Sequence, residues 1–161
     1  MVRKFVIAAA SAAAIGLALA PPAFAQKTGG TADEAKAMLM KAIDAVRADE
    51  AKALNMFDED EGEFRDRDLY VFCATVSDGT VVAMGNPNLK PALGIDIRTD
   101  HNPSGRAFGA EIYTAIQKPV GQITELSYLS PTPDGDDRLL PKVTFVARAN
   151  NDVGCGVGYY K

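Results

Sequence analysis

The sequence predicts an α+β domain in which helices pack on an antiparallel sheet. Apolar residues recur at helical spacing in the first part of the chain, and apolar strand-like runs separated by short turns fill much of the rest. Strands that are joined by short turns pair antiparallel. The order of helix, hairpin, loop with helix and three-strand meander therefore indicates this class.

The first 25 residues are typical of a secretory signal peptide. Arg3 and Lys4 precede an apolar run from Phe5 to Ala20, and Ala23-Phe24-Ala25 forms an A-x-A cleavage site. A membrane anchor is the alternative, but this run of about 16 residues is shorter than the roughly 20 that a spanning helix needs. We predict export to the periplasm or beyond, with a mature protein that begins at Gln26.

The composition of the mature chain excludes several classes of protein. Without residues 1–25, the 161-residue chain keeps 136 residues, of which 15 are basic and 21 are acidic. This length suits a single domain with a core of its own. The acidic balance argues against general affinity for nucleic acid or an anionic membrane, because both require clustered Lys and Arg. No second long apolar run follows, so we expect no membrane insertion once the signal is removed.

The N-terminal part of the mature chain predicts a leader and a helix. We expect a flexible leader over residues 26–30 and one domain over residues 31–161. Thr31 and Glu34 form a capping box, and the apolar period that follows predicts one long amphipathic helix from Ala32 to about Met56.

A charged connector is expected over residues 57–68. Its acidic run from Asp58 to Glu63 raises the question of a calcium loop. An EF-hand loop needs Gly at its sixth position and Glu at its twelfth, where this chain has Glu63 and Leu69. The run therefore favours a solvated helix exit.

The remaining elements are mostly strands. The apolar run from Leu69 to Val76 predicts a buried strand, and Asp78-Gly79 predicts a two-residue hairpin turn before a strand from Val81 to Met84. Further elements are a loop over residues 85–100, a helix over 104–118, and strands over 122–129, 140–149 and 153–160.

Few residues suggest catalysis. His101 is the one histidine and lies in a polar loop, where a solvated side chain is commoner than a general base. Cys73 lies in an apolar strand, which favours a buried structural cysteine over a nucleophile. Nucleophile-elbow, zinc-protease and phosphate-loop motifs are absent from the sequence, as is Cys-x-x-Cys. We predict no enzymatic activity and no cofactor or metal, with a hydrolase or redox enzyme using His101 or a cysteine as a weaker alternative.

A lysine within a predicted strand suggests a binding site. Alternation places Val143 and Phe145 on one face of the strand and Lys142 on the other, and Tyr128 lies in the preceding strand. A lysine with a tyrosine hydroxyl one strand away could bind a small carboxylate. Alternatively, Lys142 begins an exposed face and extends into water.

Several short stretches occur in an order that is typical of one family. They are Asp68-Leu-Tyr-Val-Phe72, Ser77 to Ala83, Asn86-Pro87 through Leu93-Gly94, Gly105 to Ile112, Pro141-Lys142 with Phe145-Val146, and Cys155 to Tyr160. From about Asp33 to Tyr160 the chain resembles the single Cache domain, the PAS-like extracytoplasmic ligand sensor of bacterial chemoreceptors and sensor kinases. It is most similar to the short secreted forms that stand alone.

This resemblance implies a fold and a ligand. The fold would be a long N-terminal helix packed on a curved antiparallel five-stranded PAS-like sheet, with a pocket between the sheet and the segment from Gly85 to Lys118. The ligand would be an anionic small molecule, an organic acid or amino acid. The partner would be a membrane sensor kinase or chemoreceptor in chemotaxis or related signal transduction. The alternative is a structural or partner-binding periplasmic module with no small ligand.

The resemblance also implies site residues. Tyr128 and Lys142 fall where the family has pocket-lining aromatic and basic residues, and Tyr113, Arg106 and Tyr70 are looser candidates. Met84 stands where many relatives have His, which implies a less polar pocket wall.

A disulfide follows from the same resemblance. The first and last strands of a PAS-like sheet are neighbours, and this brings Cys73 and Cys155 within reach of each other. Disulfides form and persist in exported proteins, so we predict that these cysteines are bonded.

Overall fold

The computed structural model of the chain describes residues 29–59, 61–101, 105–131 and 138–161. The predicted signal peptide and residues 26–28 of the predicted leader lie outside the described residues. Within the described ranges, no helix is both long enough and apolar enough to cross a membrane.

Two helices, not one, begin the domain. Helix α1 spans Ala32–Ala48 and helix α2 spans Glu50–Asp58. The prediction of a single helix to about Met56 is therefore wrong, because the helix is interrupted at Asp49. Asp49 between them has extended backbone angles, and its carboxylate accepts a hydrogen bond from the Lys52 amide at 3.1 Å. An N-cap aspartate has non-helical backbone angles, so it ends one helix and begins the next while the apolar residues keep their helical spacing.

The capping box at the start of α1 is confirmed. The Thr31 hydroxyl accepts from the Glu34 amide at 3.2 Å, and the Glu34 carboxylate accepts from the Thr31 amide at 2.8 Å. Just before it, the Gly30 amide donates to the Asp68 carboxylate, which ties the end of the predicted leader to the start of the sheet.

The antiparallel sheet contains the five predicted strands and one short additional strand. Its members are β1 (Arg65–Asp66), β2 (Leu69–Thr75), β3 (Val81–Met84), β4 (Thr124–Pro131), β5 (Leu139–Arg148) and β6 (Val153–Tyr160). The main path runs β1-β2-β6-β5-β4, and β3 also pairs with β2. The α+β class with helices packed on an antiparallel sheet is therefore confirmed. The two-residue β1 adds a sixth strand within the connector that the sequence predicted to be irregular.

The predicted two-residue turn between β2 and β3 is wrong. Thr75 donates its amide to the Thr80 carbonyl at 2.9 Å, so four residues, 76–79, form the connection. The Asp78 carboxylate stabilises the longer loop by accepting from the Thr80 amide and hydroxyl. Gly79 adopts φ +77°, a conformation that favours glycine.

The segment between β3 and β4 crosses one face of the sheet. The predicted loop over residues 85–100 contains two 3₁₀ helices, Pro87–Ala92 and Ile97–Thr99. Helix α3 spans Phe108–Ile116, which is shorter at both ends than the predicted helix over 104–118.

The sheet separates two cores. Odd-numbered residues of β2, β5 and β6 face α1 and α2, and even-numbered residues face α3 and the 3₁₀ helices. On the first face, Cys73 and Cys155 lie directly opposite each other in β2 and β6 and form the predicted disulfide.

Candidate functional site

A cavity of about 590 Å³ lies on the second face of the sheet, under the segment between β3 and α3. Its floor is formed by side chains from β2, β4 and β5, and its walls come from the 3₁₀ helices and α3. The lining is largely apolar. It includes Phe72, Val81, Met84, Leu89, Ile95, Ile97, Phe108 and Ile112.

Four of the predicted site residues line this cavity: Tyr70, Met84, Tyr128 and Lys142. Lys142 and Tyr128 are direct partners across β5 and β4. The sequence placed these two residues on consecutive strands and the resemblance placed both in a pocket, whereas Tyr70 belongs to β2, 72 residues before Lys142.

Lys142 is buried, with 4% of its surface exposed. Its ammonium donates a hydrogen bond to the Tyr70 hydroxyl at 2.9 Å. It also lies 4.6 Å from the centre of the Tyr70 ring and 4.9 Å from that of Tyr160. No carboxylate among the described residues lies within ion-pair distance of this ammonium. The alternative in which Lys142 extends into water is therefore wrong, because the neighbouring strands and the segment above them cover it.

Tyr128 lies beside the lysine on the floor of the cavity. Its hydroxyl shares a hydrogen bond with the Thr144 hydroxyl at 2.8 Å, and its ring stacks on Phe108 with centroids 4.5 Å apart. Burial raises the pKa of the Tyr128 hydroxyl, and the positive charge of Lys142 acts in the opposite direction. The hydroxyl therefore stays protonated at neutral pH and remains able to donate a hydrogen bond.

Tyr70 is held in the same protonated state. Burial raises the pKa of its hydroxyl, while a hydrogen bond with the Asn86 side chain lowers it by less. Met84 is 7% exposed and contributes an apolar part of the lining, as the predicted less polar wall requires.

Tyr113 and Arg106 do not line the cavity. The Tyr113 hydroxyl donates to the carbonyl oxygens of Val76 and Ser77, each at 3.2 Å, beside the β2–β3 connection. Arg106 forms an ion pair with Glu111 at 2.7 Å. It also donates to the Ser127 carbonyl at 2.6 Å, beside β4. Both side chains therefore have contacts that fasten surrounding segments to the sheet.

The mouth of the cavity carries polar residues that were not among the predicted ligand-binding residues. Asp100 and His101 both line it. Loss of solvation raises the pKa of the Asp100 carboxyl, and the neighbouring His101 acts in the opposite direction. The His101 Nδ1 atom lies 2.6 Å from the Thr99 carbonyl oxygen. The resemblance placed their segment, Gly85 to Lys118, over the pocket, but a loop without periodicity does not indicate which of its side chains face the cavity.

The described residues contain no group of three or more His, Cys, Asp or Glu side chains that could hold a metal ion. The two cysteines are bonded to each other, so neither offers a free thiol. The cavity lining therefore combines the Lys142 ammonium and the buried hydroxyls of Tyr70 and Tyr128 with apolar walls, and with polar side chains such as Asp100 and His101 at the mouth. Such a set is suited to binding a small molecule.

Solved structures of chemotaxis and chemosensory proteins share this architecture. The chain superimposes on a methyl-accepting chemotaxis protein from Vibrio parahaemolyticus RIMD 2210633 with a TM-score of 0.61 and 20% identity, covering 80% of this chain and 86% of that one. A structure described as the basis for carboxylic acid recognition by a Cache chemosensory domain gives 0.61 and 16%, covering 80% and 91%. The fold is that of a Cache domain.

A third match to the Cache fold is a periplasmic sensor domain of a chemotaxis protein. It gives a TM-score of 0.57 and 18% identity, covering 80% of this chain and 88% of that one. No protein-family model and no curated protein matches the chain. The similarity therefore lies in the path of the backbone, and the residues of the cavity have to be interpreted from their own geometry.

Proposed function

We propose that this protein is an extracytoplasmic sensory module that binds a small organic acid or amino acid through its carboxylate. The observation that carries the proposal is Lys142, a buried ammonium in a cavity with no carboxylate partner among the described residues. A charge that is removed from water without a partner of opposite charge is destabilising. An anion bound beside it would compensate that loss.

The groups around Lys142 support a carboxylate as that anion. An ammonium and the hydroxyls of Tyr70 and Tyr128 offer hydrogen-bond donors from two sides, and charge-assisted hydrogen bonds to carboxylates are the stronger kind. Apolar walls suit the rest of a small organic molecule. A cavity of about 590 Å³ lies within the usual range for small-molecule sites. The carboxylic acid recognition described for one neighbour of the same fold supports the same ligand class.

A thermal-shift screen of small carboxylates and amino acids tests this function. A ligand at 100 times its dissociation constant adds about 2.7 kcal/mol to the free energy of unfolding, so its unfolding temperature rises by several degrees. Neutral amides of the same acids serve as matched controls and are expected to give no shift. Equal shifts with acid and amide would contradict a carboxylate site.

Replacing the lysine tests the assigned group. Lys142→Met keeps the length and burial of the side chain but removes the charge. A charged hydrogen bond is worth roughly 1.5–3 kcal/mol, so we expect affinity for the carboxylate to fall about 10- to 150-fold in calorimetric titration. Undiminished affinity in a folded Lys142→Met protein would show that the ligand binds elsewhere.

The location and the partner belong to the same proposal. We propose that the signal peptide over residues 1–25 is removed on export, and that residues 31–161 act as one periplasmic domain presenting its ligand state to a membrane sensor kinase or chemoreceptor. Protein purified from its native host should begin at Gln26 by N-terminal sequencing. A mature protein that retains Met1 would overturn the cleavage.

One observation favours the alternative of a partner-binding module with no small ligand. Leu89 and Ile95 at the cavity mouth are 44% and 50% exposed, and an apolar rim of this kind suits closure by another protein. The same screen separates the two functions, because a module without a small ligand shows no shift with any carboxylate or amino acid.

A further inference from the structure

Strand β6 carries glycine at every position that faces the cavity side of the sheet, until Tyr160. Gly154, Gly156 and Gly158 alternate with Val153, Cys155 and Val157, which face the opposite core. β6 is a central strand between β2 and β5. Glycine in the interior of a strand is destabilising, and it often marks a place where another group approaches the backbone closely.

Each glycine lies under a side chain from another element. A Cβ atom at Gly154 would overlap the Ile116 side chain of α3, and one at Gly156 would lie 2.5 Å from the Phe72 ring of β2. A Cβ atom at Gly158 would lie 2.7 Å from Cε of Lys142 and 2.5 Å from Oγ1 of Thr144. Gly158 therefore lies beneath two side chains of β5, Thr144 and Lys142, and the second of them carries the proposed ligand-binding charge.

The topology explains why Lys142 needs this space. Lys142 belongs to β5 and its acceptor Tyr70 belongs to β2, with β6 between them. Neighbouring strands are about 4.8 Å apart, so β5 and β2 are separated by roughly 10 Å. The lysine directly opposes Tyr160, and Thr144 directly opposes Gly158. The lysine stem therefore has to lie along the surface of β6 to bring its ammonium to Tyr70.

We propose that Gly158 is a positioning residue of the binding site. Its missing side chain allows Lys142 to cross β6 and to hold its ammonium against Tyr70 inside the cavity. A methyl group at this position turns the lysine away from Tyr70. The placement of the lysine is independent of any ligand, whereas its consequence for affinity rests on the proposed function.

The placement is tested by acetylating lysines in the ligand-free protein and following each lysine-containing peptide by mass spectrometry. In the wild type, Lys142 should react at least tenfold more slowly than the exposed Lys52. The signal of the peptide acetylated at Lys142 is assigned as the one that disappears in the Lys142→Ala variant. Equal reaction rates at Lys142 and Lys52 in the wild type would overturn the inference at once, since the ammonium would not lie in the cavity.

Gly158→Ala is the decisive variant, and Gly154→Ala is its matched control on the same face of the same strand. We expect Gly158→Ala to raise the acetylation rate of Lys142 about tenfold relative to Lys52. Gly154→Ala, whose added methyl group meets Ile116, should leave that ratio unchanged. A rise of the same size in both variants would indicate general loosening of the sheet and would overturn the inference.

A variant that does not fold is also informative. If Gly158→Ala fails to fold and the double variant Lys142→Ala/Gly158→Ala folds, the lysine stem is the group that needs the space, as proposed. If both fail, Gly158 serves the packing of Thr144 and not the lysine, which overturns the proposal.

The effect on binding separates this inference from the proposed function. With a carboxylate identified in the thermal-shift screen, Gly158→Ala should weaken binding about tenfold or more and should weaken it no further in the Lys142→Met background. Faster acetylation without any carboxylate binding in the wild type would support the positioning role and contradict the proposed function. Slow acetylation together with normal binding in Gly158→Ala would contradict the positioning role alone.

Discussion

The two faces of the sheet are built from the same strands and differ in what they leave unfilled. On the face toward α1, Val143 and Val157 are fully buried against that helix, as is Leu39 of the helix itself. The disulfide between Cys73 and Cys155 joins β2 and β6 on this face. On the other face, the same strands contribute Tyr70 and Lys142 to a cavity of about 590 Å³. Alternation along a strand thus allows one face to supply stability while the other keeps space and a buried ammonium.

The difference is clearest within β5 and β6. In β5, Val143 and Phe145 pack under α1, and Lys142 between Tyr128 and Tyr160 faces the cavity. In β6, the residues toward α1 are Val153, Cys155 and Val157, and those on the cavity side are glycines as far as Gly158. If the faces differ in this way, substitutions on the first should mainly change the free energy of unfolding and those on the second should mainly change binding.

The disulfide should give the largest effect. It joins residues 82 positions apart, and the loop entropy of such a bond corresponds to about 4–5 kcal/mol as an upper figure. We expect the double substitution Cys73→Ala and Cys155→Ala to lower the free energy of unfolding in urea by up to this amount. Wild-type protein unfolded and refolded in reductant is the control, because it loses the bond but keeps both sulfur atoms. Identical urea transitions for oxidised and reduced wild type would contradict a stabilising bond.

The next largest effect is expected from replacing a buried leucine on the α1 side of the sheet, compared with an exposed leucine on the cavity side. Leu39→Ala opens a void in the packed core under α1 and should lower the free energy of unfolding by about 2–5 kcal/mol. Leu89→Ala at the cavity mouth removes a side chain that is already 44% exposed, and its effect should stay within about 0.5 kcal/mol. Urea denaturation of both variants checks the pair. Losses of similar size would mean that the cavity side is packed as firmly as the other.

Unlike Leu39→Ala, Lys142→Met is not expected to lower the free energy of unfolding. In the ligand-free protein, it replaces a buried charge that lacks a carboxylate partner among the described residues, and such replacements are often neutral or stabilising. We expect the free energy of unfolding to stay the same or to rise by about 1 kcal/mol. Val143→Ala, one position along and on the other face, is the matched control and should be destabilising. A loss of several kcal/mol in Lys142→Met would indicate that the lysine is a structural element and not a charge kept for a ligand.

The smallest effect concerns pH and Asp100. Burial raises the pKa of this carboxyl above its ordinary value of 3.8. A raised pKa in the folded state adds stability that is fully present below pH 3.8 and is lost as pH rises through the folded value. The free energy of unfolding of the wild type, relative to Asp100→Asn, should therefore decrease from pH 3.5 toward pH 7. A difference that does not vary with pH would show that the carboxyl is fully solvated at the mouth.

Local sequence patterns predicted most of the elements. The five main strands and α3 follow from apolar periods, turn residues and helix stops, and these signals act over a few neighbouring residues. Two predictions were wrong where a hydrogen bond between an aspartate side chain and the backbone changed the local conformation. Asp49 begins a new helix, and Asp78 stabilises a four-residue connection in place of the two-residue turn.

The same reasoning predicted only some of the residues that line the cavity. The strand pattern singled out Lys142 with Tyr128 one strand away, and the resemblance to Cache domains assigned both to a pocket and added Tyr70 and Met84. All four line the cavity. The same resemblance suggested Tyr113 and Arg106, whose contacts lie outside it. The binding roles of all six remain predictions.

By itself the sequence determined the class of fold and the alternation that gives each strand two faces, with Lys142 on the face opposite to Val143 and Phe145. Only the tertiary structure decided that Lys142 is covered, that its ammonium meets Tyr70 across β6, and that glycine at position 158 leaves room for this crossing. The reason is physical. Periodicity reflects the geometry of one strand or helix, whereas a cavity and the side chains that cross it depend on elements far apart in sequence.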